Sequence, residues 1–112
     1  MHVLAYIYMD DNIDLGGHIR LSGFRDIDGA SMIIIKKIVG SFVKRYSEKD
    51  KSFKSLVITL KNVHGHESGN PGKYELHANM ETDKNHSAEI THLNLMFAID
   101  KVLKKLEAST AI

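Results

Sequence analysis

The hydrophobic period of this chain changes from two to 3.6 within residues 53–106, and that change limits the folds open to it. Leu56, Ile58 and Leu60 alternate with Ser55, Val57, Thr59 and Lys61, as one buried and one open face of a strand require. Tyr74, Leu76, Ala78 and Met80 repeat the pattern, with Glu75, His77, Asn79 and Glu81 on the opposite face. Asp83-Lys84-Asn85 reads as a turn, and residues 86–90 as a short further strand. Beyond it Leu95, Ile99, Val102, Leu103 and Leu106 fall on one helical stripe, which Thr91 or Asn94 would cap. Two strands, a third strand and an amphipathic helix therefore follow one another without a break.

The first half supplies the other elements. Residues 3–9 are β-branched and aromatic and predict a strand, with an acidic loop behind it. His18 to Phe24 alternates polar and apolar residues, as a half-buried strand does. Asp28 offers an N-cap, and Ile35, Ile38, Val39, Phe42 and Tyr46 recur at helical spacing. The β-branched run from Met32 to Ile35 is compatible with a strand, but the longer period through Tyr46 favours a helix. Gly16, Gly17 and Gly23 read as turn and bulge glycines. The expected fold is α+β: a two-layer β-α-β-β-β-α sandwich with two helices on one face of a mostly antiparallel four-stranded sheet, plus an extra N-terminal strand. All 112 residues form one domain in this reading, with 1–16 as strand and acidic loop and 17–108 as the core.

Composition removes several function classes. With no cysteine, neither a disulfide nor a thiolate metal site can form, which fits a reducing cytoplasm. The apolar start lacks a basic leader and a small-residue cleavage site, and no run approaches a bilayer span, so a soluble cytoplasmic protein is expected. No phosphate loop, dinucleotide fingerprint or nucleophile elbow occurs, and no cofactor is expected. His64 and His66 could meet His77 from the neighbouring strand as a zinc triad, although surface histidines beside a loop are the simpler reading. His86 and His92, around the last strand, could contact phosphate or titrate with pH. Glu75 and His77 share a strand face and could form a base–orienter couple, but no nucleophile completes it. Asp10, Asp11 and Asp14 could hold Mg²⁺, against the plainer reading of an acidic loop.

Charge is sorted along the chain although its net value is only +1. Residues 36–61 hold eight basic side chains (Lys36, Lys37, Lys44, Arg45, Lys49, Lys51, Lys54 and Lys61) against Glu48 and Asp50. The last helix adds Lys101, Lys104 and Lys105. If both helices lie side by side, Lys36, Lys37, Lys44, Arg45, Lys101, Lys104 and Lys105 form a basic ridge able to track phosphates. Folded RNA is read in this way, by shape and backbone.

The order of elements, with Phe97-Ala98-Ile99-Asp100 opening the last helix and a basic, Leu-spaced continuation, resembles the ribosome hibernation promoting factor family. The similarity covers about residues 18–107: His18 to Gly23, Leu56 to Lys61, Tyr74 to Ala78, and His86 to Glu89 followed by Leu95 to Leu106. It implies a sheet-and-helix fold like a double-stranded-RNA-binding domain, and a non-catalytic stress-response protein. It also implies that the seven cations just named contact rRNA of the small ribosomal subunit and so inhibit translation. Residues 1–17 have no counterpart in the resemblance. Two other expectations stand beside it: a protein–protein module that dimerises through the edge strand at residues 3–9, and a small metal-dependent enzyme using His64, His66 and His77.

Overall fold

A computed structural model describes residues 12–16, 18–63 and 72–110. Its elements run β1 (Asn12–Gly16), β2 (Ile19–Ser22), α1 (Gly29–Lys49), β3 (Ser55–Val63), β4 (Lys73–Glu81), β5 (Asn85–His92) and α2 (Leu95–Ser109). The architecture is α+β, with two helices and a five-stranded mixed sheet in the order β1-β2-β3-β4-β5. Among the described strands only β2 and β3 are parallel, because α1 carries the chain back between them; the other three described pairings are antiparallel.

One alternation builds the whole core. Leu21, Leu56, Ile58, Leu60, Leu76, Ala78 and Met80 are buried on a single face of the sheet. Both helical stripes join the same cluster: Met32, Ile35, Val39, Phe42, Val43 and Tyr46 from α1, and Leu95, Ala98, Ile99, Val102, Leu103 and Leu106 from α2. The two helices therefore share one sheet face, and the opposite face carries the polar residues of each strand. Within the run from Met32 to Ile35 only those two end residues point inward, while Ile33 and Ile34 are 64% and 49% exposed. That split is the signature of a helix in a run that β-propensity alone would assign to a strand.

The caps follow from short polar side chains. Asp28 accepts from the Ser31 amide at the start of α1. This backbone hydrogen bond, foremost among several, holds its carboxyl below the usual carboxylate range. Asn94, not Thr91, caps α2 by accepting from the Phe97 amide. Thr91 lies inside β5, which runs two residues past the expected strand end because the ladder with β4 continues to Tyr74–His92.

The start of the fold needs a correction. The strand expected at residues 3–9 lies outside the described residues, as do Asp10 and Asp11 of the acidic loop. Where the rest of that loop was expected, Asn12–Gly16 forms β1, the edge strand of a hairpin with β2. Asp14 faces Arg20 across this pair, so the sheet tolerates an acid here by placing it opposite a cation. The hairpin reverses through left-handed backbone at Gly16 (φ 81°) and His18 (φ 68°). No helix among the described residues is long and apolar enough to cross a membrane.

Candidate nucleic-acid interface

The seven cations expected to act together all lie exposed on the helices, and they differ in the partners they already engage. Lys37, Arg45 and Lys104 line a groove of about 440 Å³ between α1 and α2, with Phe42, Leu103 and Glu107 among its other walls. The helices run side by side, as Arg45 shows by reaching Glu107 of α2 at 3.0 Å. Lys49 joins the same carboxylate at 2.5 Å. Lys104 pairs one turn back with Asp100 at 3.0 Å. Lys105 leaves the helix surface and donates to the Glu89 carbonyl at the outer edge of β5. That bond occupies an acceptor which an approaching strand would otherwise use. Lys36 and Lys44, eight residues apart on α1, stand about 12 Å from each other along its axis. Among the described residues no ion pair engages Lys36, Lys37 or Lys44.

Glu107 is the hinge of this arrangement, and its position has no local signal in the sequence. It lies 62 residues from Arg45 and 58 from Lys49. The Lys49 hydrogen bond, then that of Arg45, holds its carboxyl below the ordinary range. Such a carboxylate stays ionised and holds both cations in ion pairs. The guanidinium of Arg45 also lies 5.5 Å from the Phe42 ring centroid.

Behind this cluster sits Tyr46, whose ring is fully buried against Phe42 and Phe53. Its hydroxyl donates to Asp50 at 2.7 Å. Burial, reinforced by the Asp50 hydrogen bond, pushes its pKa up to about 12. Asp50 in turn is held low by hydrogen bonds from Ser52 and Tyr46. The sign follows from linkage. A folded pKa above the unfolded value of about 10 stabilises the fold below pH 10, and that contribution is lost as pH rises toward 12. The loss should reach roughly 2–3 kcal/mol at the alkaline end. Urea midpoints of wild type and Tyr46→Phe, compared from about pH 9 to pH 12, should show the steeper alkaline decline in wild type only. Parallel declines would refute the assignment.

The start of α2 carries a feature that sequence reading missed. Phe97 is 46% exposed, although Ala98 and Ile99 beside it are buried. His92 stacks on its ring at 4.2 Å, and the Lys101 ammonium lies 5.4 Å from the ring centroid. His92 Nδ1 accepts from the Asn94 amide, which fixes the ring at the helix start. An exposed aromatic flanked by a lysine offers a surface on which an unpaired base can stack. The helical stripe predicts that Phe97 avoids the core, but its meeting with His92 depends on the turn after β5.

On the opposite face of the sheet, His77 lies between two carboxylates. Glu75, two residues earlier on β4, engages Nε2, and Glu89, directly opposite on β5, lies 3.9 Å from Nδ1. Glu75 and His77, which share the strand face, are thus in contact. His64 and His66, its other expected companions, lie outside the described residues. Glu89 has no signal in the sequence, because residues 86–90 alone do not reveal which strand position they face.

No protein-family model matches the chain, and no curated protein matches it significantly.

Proposed function

We propose that this chain is a non-catalytic RNA-binding protein that holds the small ribosomal subunit through its helix face and silences translation by occupying the mRNA and tRNA path. In this reading β2-α1-β3-β4-β5-α2 is the β-α-β-β-β-α core of a hibernation-factor-like domain, similar to a double-stranded-RNA-binding domain, and β1 is an addition at its edge. The observation that carries it is the exposed surface of α1 that bears Lys36, Lys37 and Lys44, of which Lys37 lines the groove to α2. Lys101, beside the exposed Phe97, extends that surface. Arg45 and Lys104 serve a second role in this proposal, because their carboxylate partners must be displaced before they meet phosphate. Lys105, held by the Glu89 carbonyl, is the least available of the seven.

Backbone-directed binding has a quantitative signature. Four phosphate contacts, from Lys36, Lys37, Lys44 and Lys101, predict a slope of roughly −3 to −4 for log affinity against log salt. Co-sedimentation of the full chain with purified small subunits across a salt series tests this. Saturable binding near one protein per subunit, weakening about a hundredfold between 50 and 200 mM salt, is the expected result. Absence of binding at low salt would discard the ribosomal function and leave the fold standing.

A further inference from the structure

The geometry points to a divalent transition-metal site, best suited to Zn²⁺, on the face of the sheet opposite the two described helices, formed by Glu75, His77 and Glu89. It is independent of the helix surface described above, which lies across the sheet from it.

The placement is set by register. Residues two apart on a strand share a face, so Glu75 and His77 project from β4 together. His77 is paired directly with Glu89 of β5, where Cβ atoms stand about 5 Å apart. One ligand atom from each residue lies within 4.8 Å of the others. Glu75 already meets Nε2, and a swing of the exposed Glu89 side chain from the Nδ1 side would bring the three onto one ion at the 2.0–2.2 Å typical of zinc bonds to His and carboxylate. The backbone under them is firm: β4 is an interior strand with β3 and β5 on either side, and Lys105 holds the Glu89 carbonyl from α2.

Donor chemistry selects the ion. Two carboxylates balance a divalent charge, and the imidazole nitrogen favours zinc or a similar transition metal over Mg²⁺ or Ca²⁺, which prefer oxygen throughout. His77 and Glu75 are half-buried, with side chains 30% and 28% exposed, while Glu89 is 71% exposed and able to swing onto an arriving ion. One imidazole nitrogen would ligate, and the other would be left to a hydrogen-bond partner that orients the ring. Solvent would fill the open position, since three protein ligands leave zinc one short of its usual four. The ion would tie β4 to the outer strand β5.

Calorimetric titration of the full chain with Zn²⁺ at neutral pH tests the site, with folding of each variant checked by circular dichroism. One equivalent should bind to wild type. His77→Ala and Glu89→Gln should each weaken it by on the order of a hundredfold, at least the loss seen when a supporting second-shell group is removed. Glu89→Gln is the safer variant for folding because the side chain is exposed. The double variant His64→Ala/His66→Ala should bind as wild type does. Absence of stoichiometric binding would overturn the inference. So would binding that survives both His77→Ala and Glu89→Gln, or that is abolished by the His64/His66 change.

Discussion

Gly23→Ala is expected to destabilise the protein by about 4 kcal/mol, a large share of the stability of a domain this size. Gly23 leaves β2 with φ 83°, a left-handed conformation that costs a residue with a Cβ about 1–3 kcal/mol. A Cβ at this position would also lie 2.2 Å from the Leu60 carbonyl oxygen of β3. That oxygen belongs to an interior strand paired with β4, so it cannot move without disturbing the ladder. Forcing the two apart adds about 1–3 kcal/mol more. Gly16→Ala is the internal control. Its φ is 81°, yet nothing lies within 4 Å of the added carbon, so only the same backbone cost of about 1–3 kcal/mol applies. Urea unfolding of both variants measures the difference. Equal losses would mean that the close approach of Gly23 to β3 does not exist in solution.

The second large effect concerns the helix face. Replacing Lys36, Lys37 and Lys44 together with Glu should weaken small-subunit binding more than a thousandfold. Three lost charge-assisted bonds at about 1.5 kcal/mol each sum to about 4.5 kcal/mol, before repulsion by the new carboxylates is counted. Stability should change little, because all three side chains are exposed and no ion pair among the described residues depends on them. Glu107→Ala should act in the opposite direction. Removing this carboxylate releases Arg45 and Lys49 toward the groove, and binding should tighten roughly tenfold. Co-sedimentation at fixed salt measures both. Wild-type affinity in the triple variant would remove α1 from the proposed interface, and weaker binding of Glu107→Ala would mean that the ion pairs support the surface.

How much of this could be read in advance depends on how far apart the cooperating residues lie. Leu56, Ile58 and Leu60 announce a one-sided strand because the residues two positions apart fix its face within a few residues. The stripe of Leu95, Ile99, Val102, Leu103 and Leu106 does the same for α2, and every one of these is buried. Asp28 acts on backbone three residues away, so its cap is legible too, whereas the choice of Asn94 over Thr91 rests on where β5 ends. Asn12 to Gly16 has no such advantage. With only two apolar residues, Ile13 and Leu15, it becomes a strand because β2 supplies a partner ladder. Local composition points to a loop there, and pairing overrides it.

The candidate sites divide along the same line. Which side chains avoid the core is written in the chain: the lysines of both helices, and Glu75 and His77 on the open sheet face. Periodicity alone carries that information. Their partners depend on how the elements pack. That packing spends Arg45 and Lys49 on Glu107, turns Lys105 to the edge of β5, leaves Lys36, Lys37 and Lys44 facing outward, and sets Glu89 opposite His77. Helix packing and strand register join residues up to 62 positions apart, and such distances leave no trace in any local pattern of the chain.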